Sequence, residues 1–177
     1  ALIAKGVIGQ WSGWDLAVAG GLVALWPLQE WLIHVFVLHF KPKQLGPITV
    51  DPFVASKHRR HHADPWDLEL SMTPMRAIFL ILVVNIAIWY GLAPTAGIAA
   101  TGMLTYIALG LTYEWTHYLI HTRYRPQSKL YKHLWRNHRL HHCKNEHYWF
   151  GVSMTAADYA LGTAPDQRQV ETSDTCR

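Results

Sequence analysis

Residues 97–121 read GIAATGMLTYIALGLTYEWTHYLIH, an apolar run that ends in the spaced pair His117-x3-His121. About 20 apolar residues are enough to cross a bilayer core, so this stretch reads as a membrane helix. At about 100° per residue its two terminal histidines lie on one face, one turn apart. Imidazole is the commonest protein ligand for zinc, iron and copper. One segment thus predicts both an integral-membrane chain and a metal ligand pair at the end of a span.

Two further stretches share the apolar character. Residues 15–40 run DLAVAGGLVALWPLQEWLIHVFVLHF, with Pro27 expected to kink the helix, and end in His34-x4-His39. Residues 77–92 run AIFLILVVNIAIWYGL, and Gly91 and Pro94 punctuate a tight reversal before the 97–121 helix. The fold class expected is all-α: about three transmembrane helices, four if another precedes Ala1, with a cytosolic helical cap. Residues 1–163 read as one membrane-embedded domain, and residues 164–177 as a polar, disordered tail.

Of the 16 Lys and Arg residues only Lys5 lies outside 41–76 and 123–177. Three crossings put both basic regions on one side, which the positive-inside rule makes cytoplasmic. Trp11, Trp14, Trp89 and Tyr90 would then form an aromatic belt at the other interface. Because the basic residues track the apolar segments, membrane topology accounts for the net charge of +4 better than nucleic acid does. Cys143 and Cys176 are too few for a disulfide framework.

Between and after the spans lie two more histidine clusters, His58-x2-His61-His62 and His138-x2-His141-His142. Asp51 as N-cap and Pro52 at the first helical position open a helix for the former, and Ser128 caps one for the latter. Each triplet puts its members within one helical turn. His34 and His39, about 140° apart on an α-helix, share a site only if they flank it or if the helix distorts. One four-coordinate metal cannot use ten imidazoles, so the clusters point to two metals in one site. Ionisable groups at membrane depth are costly and normally functional. Of the 12 histidines, His133 and His147 stand outside the clusters; His133 reads as an ordinary polar residue and His147 as a partner to a ligand ring.

With five Glu residues and a single Glu-x-x-His motif, Glu114 to His117, the chain lacks the carboxylates of a ferritin-like site. The site is therefore expected to be histidine-rich, without carboxylate bridges. Asp67, Glu114 and Asp158 are candidates to accept the second ring N–H of a ligand, each equally readable as a cap or surface carboxylate. A non-catalytic membrane subunit holding structural zinc competes poorly, since such sites are closed, four-ligand and commonly use Cys. A metal transporter would line a path across the membrane, whereas these ligands gather on one side.

At these residues the chain resembles the fatty acid hydroxylase/sterol desaturase superfamily, whose histidine boxes match His34–His39, His58–His62, His117–His121 and His138–His142 in order and spacing. Its fatty acid 2-hydroxylase branch is matched by Glu30-Trp31-Leu32-Ile33-His34, by Ala63-Asp64-Pro65-Trp66-Asp67, by Phe150-Gly151-Val152, and by Asp158 and Gly162-Thr163. Carotenoid hydroxylases keep the first two boxes closer than the 18 residues between His39 and His58. The resemblance implies two iron ions, replaceable by zinc in purified protein, O2 as co-substrate, and hydroxylation of a fatty acyl lipid that enters from the bilayer. Phe36, Val37, Leu111 and Leu119 are the walls expected for its tunnel. It also implies a separate cytochrome b5-like or ferredoxin-like electron donor and membrane complex partners. Desaturation, or hydroxylation of a sterol or carotenoid, is the alternative within the superfamily.

Overall fold

The computed structural model describes residue 6 and residues 11–176. Lys5, the one basic residue outside the two basic regions, lies outside the described residues. The chain is mostly helical. In order come α1 (Gly13–Ile33), a π-turn (His34–Leu38), a hairpin of β1 (Lys43–Leu45) and β2 (Ile48–Val50), α2 (Phe53–Ala63), α3 (Leu68–Ser71), α4 (Met75–Leu92), α5 (Ala96–Ile120), α6 (Lys129–Cys143) and α7 (Ala156–Ala160). The structure groups residues into two compact units, 1–26 with 74–112 and 27–73 with 113–177.

Among the described residues, three stretches are long and apolar enough to cross a membrane: Gly13–Leu38, Leu68–Leu92 and Ala96–Ile120. The second begins earlier than the hydropathy of 77–92 suggests, because short α3 precedes α4 across the break at 72–74. In the first unit, Phe79, Leu80, Ile81, Leu82, Val83, Val84, Ile86 and Ile88 of α4 are all exposed. In water these would forgo about 1.5–3 kcal/mol each, a sum on the order of a whole domain's stability. The solvent that suits this face is hydrocarbon.

Several polar side chains of the first unit are satisfied within it, as an apolar solvent demands. Asp15 is buried and accepts from Ser12 N at 2.7 Å and Thr101 Oγ1 at 2.5 Å. Asn85 donates to the Ile81 carbonyl of its own helix, and Thr105 and Thr112 donate to carbonyls one turn back. A Cβ on Gly102 would fall 2.3 Å from Trp89 Cε3, so glycine is what lets the α4 indole lie against α5. Trp89 is thus half-buried, while Trp11, Trp14 and Tyr90 of the expected belt are exposed.

The second unit carries the polar connections. The β-hairpin pairs Lys43 with Val50 and Leu45 with Ile48, a small departure from an all-helical expectation. Helix α2 starts one residue later than read, with Pro52 as its N-cap residue. Asp51 does not cap; its two oxygens lie 2.8 and 2.6 Å from Arg59 Nη2, which turns it toward the guanidinium instead. Ser128 does cap α6, accepting from Tyr131 N at 3.1 Å.

The expected disordered tail is a correction. Residues Gln167–Gln169 and Asp174–Cys176 form 3-10 turns, and the segment docks on the end of α6. Ser173 N donates to the Lys144 carbonyl at 2.9 Å, Asn145 Nδ2 donates to the Glu171 carbonyl at 3.1 Å, and Ser173 Oγ donates to Glu146. Polar residues need no apolar core to order them when each finds a backbone or carboxylate partner.

Candidate metal centre

All ten clustered histidines meet in the second unit, in two groups of five. His34, His39, His58, His62 and His141 form one; His61, His117, His121, His138 and His142 form the other. Within each group one ring nitrogen per residue lies within 4.8 Å of all the others. With metal–nitrogen bonds of about 2.1 Å, opposed ligands stand about 4.2 Å apart, so each group has the dimensions to hold one ion. The groups adjoin: the rings of His62 and His142 stack at 4.1 Å.

Local structure explains each contribution. The helix does distort at its end: His39 N donates to the His34 carbonyl at 3.0 Å, closing a π-turn. That wider turn brings residues five apart onto one face, and π-turns recur at functional sites. In α2, His58 and His62 are one turn apart and both join the first group, while His61, rotated about 60° from His58, joins the second. In α6 the roles reverse: His138 and His142 join the second group and His141 the first.

The donor set fits cations and fits nothing else present. A neutral imidazole has one N–H. His34 Nδ1 donates to the Phe150 carbonyl at 2.6 Å and His141 Nδ1 to the Tyr148 carbonyl at 2.7 Å, which leaves both Nε2 atoms as bare lone pairs. His58 Nε2 faces three nitrogens, those of His34 and His39 at 3.2 Å and His62 at 3.1 Å. One proton cannot serve three acceptors; one cation can serve five. In the second group His61 Nε2 stands 3.2 Å from the Nε2 atoms of both His117 and His121.

Burial keeps these rings neutral, the form that ligates. It pulls His39 and His61 down to about 4, His121 to about 3 and His62 to about 2, and His58, His138, His141 and His142 well below the ordinary value. Neighbouring rings add repulsion at His58, His62, His138, His141 and His142.

None of the four residues expected to support a ligand ring does so. Asp67 caps α3, accepting from Glu69 N at 3.0 Å. Glu114 accepts from Thr73 N at 3.1 Å and from its hydroxyl. His147 is exposed beside Glu146, 3.7 Å away. Asp158 is fully buried and raised by that burial, but it accepts from Phe150 N, Gly151 N and Thr163 Oγ1. The supporting acceptors are backbone carbonyls, which carry no sequence signature. His133 stands apart, stacked on Tyr159 at 6.0 Å. Glu30 was missed as a working residue, although a carboxylate inside an apolar span, one turn before His34, is itself a signal. Of the expected tunnel walls, Phe36, Val37 and Leu111 are exposed.

Comparison with known proteins agrees with this geometry. The family model described as fatty acid hydroxylase matches residues 19–163. The Arabidopsis thaliana dihydroceramide fatty acyl 2-hydroxylase FAH2 is 30% identical over 151 residues, 85% of this chain and 61% of that protein. The Homo sapiens fatty acid 2-hydroxylase is 29% identical over 152 residues, 84% of this chain and 40% of its own length. The chain therefore spans between about two fifths and three fifths of these relatives. A solved structure of full-length Scs7p, in which only the hydroxylase domain is visible, shares the fold at a TM-score of 0.74 and 21% identity, covering 97% of this chain and 65% of that one. This chain belongs to the fatty acid hydroxylase family.

Proposed function

We propose that this chain is the catalytic domain of an O2-dependent hydroxylase of a long-chain fatty acyl lipid, with two iron ions held by the ten clustered histidines. The observation that carries the reading is the pair of buried, all-histidine groups, each sized for one ion. Imidazole suits iron, and burial favours the neutral, ligating form of the clustered rings. Iron, when bound, would supply oxidation of an unactivated C–H bond with O2, two electrons and two protons, giving the alcohol and water. Protein side chains cannot do this alone. The chain's own work is to hold the metals, to fix the ligand tautomers and to keep bulk water from the reacting carbon.

The relatives, fatty acid and dihydroceramide fatty acyl 2-hydroxylases, favour a fatty acyl chain and its second carbon. The basic asymmetry of the sequence favours a cytoplasmic site, where a cytochrome b5-like or ferredoxin-like donor would deliver electrons. Lipid mass spectrometry of cells expressing the chain, with iron, O2 and a competent reductant present, tests the reading. Acyl lipids gaining one oxygen in the wild type and not in His61→Ala are the expected result. A new double bond would move the assignment to desaturation, and an unchanged lipid profile would overturn an enzymatic role.

A further inference from the structure

The loop after α6 has no regular structure, yet six consecutive backbone N–H groups in it are fixed. Trp149 N donates to the Thr163 carbonyl at 2.7 Å. Phe150 N and Gly151 N donate to Asp158 at 2.9 and 2.7 Å. Val152 N, Ser153 N and Met154 N donate to Glu30 at 2.6, 2.7 and 3.3 Å, and Ser153 Oγ adds a fourth donor at 2.9 Å. Glu30 is 5% exposed within the apolar α1. Four donors match the acceptor capacity of one carboxylate, which is how a charge-bearing group is tolerated there.

This loop supplies backbone acceptors to two of the ligand rings. Tyr148 and Phe150 supply the carbonyls that accept from His141 Nδ1 and His34 Nδ1. Between them Trp149 has φ 57°, a left-handed conformation that a non-glycine side chain keeps only where its surroundings over-determine it. The two rings this loop supports belong to the His34 group; in the other group His117 and His121 bond the backbone of Ser71 and Pro65 instead. In the other group the buried Nδ1 atoms of His61, His138 and His142 have no partner.

We propose that Glu30 is a positioning residue for one metal of the pair: by fixing the 150–154 loop it holds His34 and His141 with bare Nε2 atoms toward the His34 group, and it leaves the His61 group unaffected. The proposal rests on the two-metal reading above. A ring held in one tautomer and one orientation binds metal without first ordering itself; removing such support costs about 10–100-fold in metal affinity.

The test is metal titration of the purified full chain in detergent, using Co(II) against a competing chelator, with metal per chain read by elemental analysis. Wild type is expected to bind two ions. In Glu30→Gln one affinity should weaken by about 10–100-fold and the other should not move. Adding His58→Ala should leave that second affinity intact, whereas adding His61→Ala should abolish it. Glu30→Asp, a shorter arm with the same charge, should fall between. Equal weakening of both ions, no weakening, or weakening confined to the His61 group would overturn the assignment. Ser153→Ala removes one donor and leaves the backbone in place. It carries the test if Glu30→Gln fails to accumulate, and an unchanged first affinity there would also overturn the proposal. Fewer than two ions on the wild type would instead refute the two-metal reading itself.

Discussion

His61 and His141 each leave the histidine triplet of their own helix and complete the group built mainly by the other. His61 on α2 joins His117, His121, His138 and His142; His141 on α6 joins His34, His39, His58 and His62. Each group is thus one spaced pair from a span end, one i, i+4 pair from a polar helix, and one crossing ring. The exchange relates the two halves of the chain by an approximate two-fold rule and interlocks α2 with α6 through their ligands.

Removing a crossing ring should therefore damage a site without disturbing an apolar span. His61→Ala and His141→Ala are each expected to abolish lipid hydroxylation while the protein still inserts into membranes. His133→Ala should keep most activity, because His133 bonds Thr155 and Asn137 outside both groups. The check is product formation by lipid mass spectrometry at matched membrane abundance. Full activity in either crossing-ring variant would refute the ligand assignment.

The membrane helices and the ten histidines were legible because each rests on a strong local pattern: an apolar run of sufficient length, or imidazoles at helical spacing. The His34–His39 pair was legible only as a conflict, five residues on a 3.6-residue helix, and the π-turn is the physical solution. Which triplet member joins which group was not legible, because it depends on how α2 and α6 face one another. The support of His34 and His141 was hidden for a different reason. It comes from main-chain carbonyls of residues 148 and 150, and any residue offers the same carbonyl. The docked tail was missed because its order comes from hydrogen bonds to residues 144–146, not from an apolar pattern.

Acid should unfold the metal-free site at a pH set by its histidines. His39 and His61 fall from the ordinary 6.5 to about 4 in the folded state because burial disfavours the cation. A group whose folded value is depressed binds more protons when unfolded. Its stabilising contribution is complete above about 6.5 and is lost as pH falls toward and through about 4. Thermal melts of chelator-treated protein, followed by tryptophan fluorescence, should hold a constant midpoint above pH 6.5 and decline below it. Bound metal should compete with protons and move the decline to lower pH. A midpoint that rises on acidification over this window would contradict neutral, buried rings.

The docked tail carries its own prediction. Burial pushes Glu146 up, but donors from Ser173 and Thr175 outweigh it and bring the carboxyl down to about 2. Docking should then be fully supported above the ordinary 4.5 and lost as pH falls through about 2. At neutral pH, Ser173→Ala should release the segment by removing the hydroxyl that bonds Glu146. Limited proteolysis should cut residues 164–176 faster in the variant than in the wild type, with membrane insertion unchanged. Equal cleavage rates would show that the remaining backbone bonds suffice.

Gly102 tests the packing of the first unit. A methyl group there would sit 2.3, 2.4 and 2.5 Å from three atoms of the Trp89 indole, well inside contact distance. An indole is rigid and cannot yield by bending, so the ring must swing away or α4 must separate from α5. Overpacking of this kind costs about 1–3 kcal/mol. Gly102→Ala should therefore lower the thermal midpoint in detergent, with a shifted Trp89 emission as the ring leaves its site. Trp89→Leu, which removes the obstructing ring atoms, should make a second substitution at Gly102 far less harmful. A double-mutant cycle measures that coupling directly, and strictly additive effects would show that the indole does not pack on the glycine.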